Sequence, residues 1–193
     1  MKGSNSSQLI EFAKKSLVES GGFGWLTEAG QIDLGKNLQA WINFRMTYVF
    51  ALEKINGNQS ATKYLQHGLN AIRELFTDEI NSGFYTEVTS VEVIDSEKKA
   101  YEFAFALLAL SAAVRAGEES AKSELERLAK YAREWQQWPW VFMAESYLAR
   151  ILMMSGKVEE AFGVVRDHRK LASEFKGEDG LSLIIDINEL FLR

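Results

Sequence analysis

"EKKAYEFAFALLALSAAVRA", residues 97–116, is apolar on almost every side of a helix. A surface helix keeps a polar face at a period of 3.6 residues, so one without it needs other helices around it. Gly117 follows as a stop. The stretch therefore predicts a buried helix inside an all-α fold. Just upstream, GFYTEVTSVEVID, residues 83–95, alternates polar and β-branched residues, the pattern of a short β-hairpin loop. A second stretch, GGFGWLTEAGQI at residues 21–32, is built alike. Each starts Gly-aromatic, runs to Ile-Asp, and leads into a long apolar helix that stops at glycine. Gly22-Phe23 pairs with Gly83-Phe84, Ile32-Asp33 with Ile94-Asp95, and Lys36 with Lys98. That internal repeat argues for stacked helical hairpins that display β-loops on one face, free for binding.

The other segments are helical too. Residues 7–19 put Leu9, Ile10, Phe12, Ala13, Leu17 and Val18 on one face, and residues 36–55 carry Leu38, Trp41, Ile42, Phe44, Arg45, Tyr48, Val49, Leu52 and Ile55. Asn56-Gly57 ends the latter. Residues 59–77 and 119–136 follow the same period, and Pro139 suits the first turn of a helix that runs to Met154. Ser155-Gly156 closes it, and residues 157–175 and 181–192 complete a count of eight. The joins are short, which predicts antiparallel neighbours in a single domain over residues 1–193.

Composition bounds the function. A hydrophobic content of 47% in 193 residues is ample for a core. A net charge of −5 argues against nucleic acid, whose phosphates call for a basic surface. No apolar run reaches the length of a membrane span, and MKGSNSSQLIEF has no apolar stretch of a signal peptide. There is no Cys and there are only two His, which leaves no thiolate chemistry and no histidine-rich metal site. The expectation is a cytoplasmic protein without metal or cofactor. GGFG is not a nucleotide-binding glycine motif, since no strand–glycine–helix context surrounds it.

Several stretches stand together in one order: GGFGWLTEAGQI, WINFRMTYVFAL, YLQHGLNAIRELFTDEINSGFYTEV and KKAYEFAFALLALSAAVRAG. In order and spacing they resemble the first half of the N-acylglucosamine 2-epimerase superfamily, nearest its branch of mannose and sulfoquinovose isomerases. The resemblance covers residues 20–117, and FMAESYLARILMMSGKVEEAF is similar to a later hairpin of the same family. It implies a barrel of paired inner and outer helices, here a partial or shortened α/α toroid because eight helices do not close a ring of twelve. It also implies a small-molecule sugar as partner and proton movement between adjacent sugar carbons.

Arg45 matches the family's inner-ring arginine, and a fixed cation suits developing enediolate charge; the plain alternative is a salt bridge to Glu53 or Glu102. Trp41, one turn earlier, shares its face and is similar to the family's sugar-stacking tryptophan, or else is core. An isomerase built on this chain would use Arg45, Glu102 and Glu145 as its catalytic candidates, the glutamates in place of the family's histidines, because a glutamate of raised pKa can act as a general base. Trp41, Tyr48, Trp25, Phe23 and Tyr101 are the substrate-binding candidates. His67 reads as structural and His168 as surface. Proton transfer in these isomerases is assigned to histidines, whose titration lies near working pH. At the corresponding positions this chain has Tyr48, Phe103 and Phe142. The substitutions predict little or no isomerisation of mannose or sulfoquinovose.

Two function classes follow: a sugar isomerase or epimerase of lost or reduced activity, and a helical module that binds a carbohydrate or a protein without chemistry. A truncated or engineered derivative of the family would show the same features. The final stretch, LSLIIDINELFLR, is too apolar for one helix face to bury, which predicts either a homodimer through it or a C-terminal helix folded into the family's sugar cavity.

Overall fold

A computed structural model describes the backbone of residues 3–134 and 138–174, and the side chains of residues 7–134 and 144–167. Among them are seven α-helices: α1 (Gly3–Ala13), α2 (Ala40–Ile55), α3 (Thr62–Ala71), α4 (Ala100–Arg115), α5 (Ser120–Glu134), α6 (Trp138–Met154) and α7 (Val158–Glu174). Three short strands, β1 (Leu38–Gln39), β2 (Glu87–Val88) and β3 (Val93–Asp95), complete an α-rich fold. The expected helix at 181–192, and with it the expectation of a dimer, lies outside the described residues. Contacts divide the chain into two compact units, Met1–Gly117 and Glu118–Arg193.

The first unit is built on α2 and α4. β1 leads directly into α2, and β3 leads into α4. Both pair through β2, antiparallel on each side, with Leu38 opposite Val88 and Glu87 opposite Asp95. The two helices therefore start at one end and run parallel. Thr86 ties the two starts together. Its carbonyl accepts from Ala40 N at 2.9 Å, its N–H donates to Asp95 O at 2.9 Å, and its hydroxyl donates to Glu97 O at 2.9 Å. Phe44, Phe50, Leu65, Ile72, Phe76 and Leu107 are fully buried around this pair, which is why the 97–116 stretch has no polar side.

The internal repeat is present in the backbone. Leu17 bridges Phe23 as Thr77 bridges Phe84. Val18 N donates to Gly22 O at 2.9 Å as Asp78 N donates to Gly83 O at 2.9 Å, and Gly24 N to Ser16 O as Tyr85 N to Phe76 O, both at 2.8 Å. Each loop turns through two residues of positive φ, Gly21-Gly22 in the first and Ser82-Gly83 in the second. That conformation is why the Gly-aromatic signature recurs.

Where α3 crosses α2 there is no room for a side chain. A Cβ at Gly68 would collide with the buried Thr47 hydroxyl and come within 3.0 Å of the Phe23 ring. Thr47 cannot turn away freely, because its hydroxyl donates to Asn43 O at 2.7 Å. Gly68→Ala is expected to destabilise the first unit by about 1–3 kcal/mol despite the higher helix propensity of Ala. A urea titration showing an unchanged or raised midpoint would refute this.

In the second unit, α6 packs on α5 and on α7. Gly156, at φ 75°, ends α6 with its N–H on Met153 O at 3.0 Å. Ala149, Leu152, Ala161 and Val165 form the apolar seam between α6 and α7.

Candidate functional site

The i, i+4 spacing puts Trp41 and Arg45 on one face of α2, and Tyr101 and Phe105 on one face of α4. The parallel pairing brings the two faces together. The Arg45 guanidinium carbon lies 5.7 Å from the Trp41 ring centroid and 5.2 Å from that of Phe105. Phe105 meets Tyr101 edge-on at 4.8 Å, and Trp41 meets Trp25 edge-on at 5.9 Å. Lys36 Nζ stands 4.7 Å from the Trp25 ring centroid. Arg45 is exposed and Tyr101 is 53% exposed. These residues thus form one chain of ring and cation contacts at the sheet end of the two helices. Tyr48 is half-buried, one turn beyond Arg45 on α2.

Flat rings and fixed N–H donors suit one kind of ligand, with C–H faces to lie on the rings and oxygens to take the donors. Neither ion pair considered for Arg45 forms. Glu53 accepts from Asn58 at 2.9 Å, and among the described residues Arg45 has ring contacts instead.

Glu102 flanks this surface. It is three residues before Phe105 and thus its neighbour on α4. It is 4% exposed, and its Oε2 has no hydrogen-bond partner among the described residues. Burial raises its pKa, partly offset by its own backbone N–H and by Lys99.

The other candidates take no part in this chain of contacts. Phe23 is fully buried, with its ring 5.5 Å from both Phe50 and His67. His67 bonds Gly22 O through Nε2 at 2.8 Å and so holds the first loop. Asn43, fully buried on α2, clamps the same loop from both sides of Phe23. Phe103 is buried. Glu145 belongs to the second unit, where it is buried and accepts from the Arg133 guanidinium. The side chains of Phe142 and His168 are outside the described residues. A cleft of about 210 Å³ on the first unit is lined by Glu19, Gly21, His67, Asn70, Glu74 and Leu75 and includes none of the ring surface. Among the described residues no helix is long and apolar enough to cross a membrane, and no group of three His, Asp or Glu is placed to hold a metal ion.

Sequence reasoning missed Phe105 and Lys36 as parts of this surface. A signal for Phe105 was available. Arg45 and Phe105 each stand twelve residues before their stop glycines, Gly57 and Gly117, so the repeat itself aligns them.

A D-mannose isomerase of Thermobifida fusca is 34% identical over 123 residues, which are 63% of this chain and 30% of that protein. The chain thus spans less than a third of that relative's length in the match. Among solved structures, a sugar epimerase from a ruminal bacterium superposes with a TM-score of 0.59 at 23% identity, over 65% of this chain and 33% of its own. A D-mannose isomerase superposes with a TM-score of 0.64 at 16% identity, over 94% of this chain and 48% of its own. The chain is therefore mostly helical with a small antiparallel sheet, and it matches part of the α/α-toroid fold of the sugar epimerases. The sequence profile of N-acylglucosamine 2-epimerase matches residues 21–143, and the chain belongs to that family.

Proposed function

We propose that the surface formed by Trp25, Trp41, Arg45, Tyr101 and Phe105 binds a sugar, and that the chain serves a sugar isomerase or 2-epimerase reaction with slow chemistry. The observation that carries this reading is the exposed Arg45 guanidinium between the Trp41 and Phe105 rings. A hexose presents apolar C–H patches and hydroxyl oxygens within a few ångströms of each other, which this alternation of ring and donor fits. The guanidinium is also the group that would stabilise enediolate charge when a proton leaves the carbon beside the carbonyl. The relative named D-mannose isomerase makes D-mannose the first probe.

Chemistry is expected to be slow because Tyr48 and the buried Phe103 stand at histidine-like positions. One lost acid–base group costs about 10²–10⁴-fold.

Saturation-transfer NMR with millimolar D-mannose should show binding that weakens at least ~10-fold, about 1.4 kcal/mol, in Arg45→Ala. Aldose–ketose interconversion, followed in the same tube, should be slow or undetectable. Binding that survives Arg45→Ala and Trp41→Ala together would overturn the assignment of the surface. Rapid turnover abolished by Arg45→Ala would show instead a fully active enzyme.

A further inference from the structure

We propose that Glu102 is a proton-operated latch on the start of α4. With a proton on its carboxyl it stays buried and the first turn is closed; without one it turns out to water and the turn opens. The described structure is the closed form.

Three observations of different kinds meet at this turn. First, Glu102 is 4% exposed and its Oε2 has no hydrogen-bond partner among the described residues, although a buried polar atom ordinarily finds one. A carboxylate in that place would be a buried charge, which costs far more than a neutral carboxyl. Second, the charged groups around it do not answer that charge. Lys99, the cation that acts on it, lies 3.3 Å from Asp95 Oδ2 and 3.2 Å from Glu97 Oε2 and is shared between them. Those two carboxylates, one in β3 and one in the link after it, add repulsion. Lys98 is paired with Asp78, and Glu87 of β2 accepts from Asn37. On α2, which packs along α4, Arg45 has the Trp41 and Phe105 rings, and Tyr48 is half-buried and uncharged at neutral pH. Third, the turn is lightly held. Lys99 at its N-cap supplies no side-chain cap, and the bond from Phe103 N to Lys99 O is long at 3.3 Å.

The sign follows from burial, which raises the pKa of this carboxyl more than its own backbone N–H and Lys99 lower it. Closing the turn therefore takes up a proton. The stabilisation is full below the ordinary Glu value of about 4.3 and is lost as pH rises through the higher folded value. Tyr101 lies in the same turn, so opening it also releases one ring of the exposed surface. That consequence rests on the sugar-binding reading; the latch does not.

The test reads the carboxyl, the turn and the surface separately. The side-chain carboxyl carbon of Glu102, followed by NMR in wild-type protein, should titrate with a midpoint above about 4.3. Amide exchange of residues 102–105, corrected for its intrinsic rise with pH, should accelerate by up to about tenfold per pH unit between that value and the midpoint, and more than exchange later in α4. Glu102→Gln, neutral throughout and of the same shape, should abolish the acceleration. It should also unfold at a higher urea concentration than wild type at pH 8, with the two converging on acidification toward pH 4.5. D-mannose binding should weaken from pH 5 to pH 8 in wild type and hold in Glu102→Gln. A Glu102 midpoint at or below about 4.3 overturns the proposal, as does a Glu102→Gln variant less stable than wild type at pH 8. Wild-type protein that binds no sugar at either pH overturns the reading of the surface, while the titration and the exchange still decide the latch.

Discussion

Asp78→Ala is expected to destabilise the first unit by about 3–5 kcal/mol, the range for removing one partner of a buried ion pair. Asp78 is 1% exposed and sits at the start of the second loop. Its Oδ1 accepts from Ile80 N at 3.1 Å and Asn81 N at 3.0 Å, and its Oδ2 from Asn81 Nδ2 at 3.1 Å and Lys98 Nζ at 2.7 Å. Burial by itself would raise its pKa. The bonds from Lys98 and Asn81 outweigh burial and hold the carboxyl well below the usual carboxylate range. Alanine would leave those donors without an acceptor. Lys98 keeps some water, with its side chain 25% exposed, and that places the expected loss nearer the lower end.

The effect of pH has a definite sign. A carboxyl whose folded pKa is depressed stabilises the fold fully above its unfolded pKa, about 3.9. That stabilisation fades as pH falls below this value toward the depressed one. Wild-type protein should therefore lose stability on acidification below about pH 4 more steeply than Asp78→Ala. Urea titrations at pH 7 and across the acid range measure both quantities. Equal midpoints at pH 7 would remove the claim, and parallel acid profiles would remove its explanation.

Much of this architecture can be read from local pattern. The stop glycines Gly57, Gly117 and Gly156 all lie in the left-handed region, and each ends a helix that periodicity placed within a few residues. The repeat of Gly-aromatic loops marks a repeated set of backbone hydrogen bonds. What local pattern missed depends on partners distant in sequence. Leu38 and Gln39 read as the start of a helix, but they form β1, because the edge they complete arrives at Glu87 and Val88. The 59–77 segment read as one helix. Its last turn widens at Ile72–Phe76, where the Thr77 hydroxyl takes Ile72 O at 2.8 Å. Arg45 offered a choice between carboxylates and a ligand, and its actual neighbours are rings. One of them, Phe105, comes from a helix sixty residues further on. Burial of Glu102 is likewise a property of the assembled fold. In sequence it is an ordinary acidic residue in a first helical turn, where the helix dipole alone would explain it.

Asn43→Ala should destabilise the first unit by about 2–4 kcal/mol, because two buried backbone groups lose their partner at once. Asn43 Oδ1 accepts from Phe23 N at 2.6 Å. Its Nδ2 donates to Phe23 O at 3.1 Å and to Gln39 O at 2.9 Å. One side chain therefore closes both ends of the Phe23 peptide against α2. Glycine at position 22 is part of the same fit, since a Cβ there would come 2.6 Å from Asn43 Oδ1 and φ is 74°. Asparagine is the residue for this place because it alone, at this length, offers an acceptor and two donors without charge. Asp would keep the acceptor, lose the donors and bury a charge, so Asn43→Asp should be at least as damaging. The consequence reaches the sugar surface two residues along the loop. Trp25 rests on Trp41, and its carbonyl accepts from Asp33 N at 2.8 Å, so Trp25 moves with the loop that Asn43 holds. Amide exchange in residues 21–33 should accelerate in Asn43→Ala more than exchange in α4, and D-mannose binding should weaken although Asn43 is fully buried away from the surface. A variant that loses stability evenly across the first unit while its loop stays protected would show that the clamp supports the core and not the site.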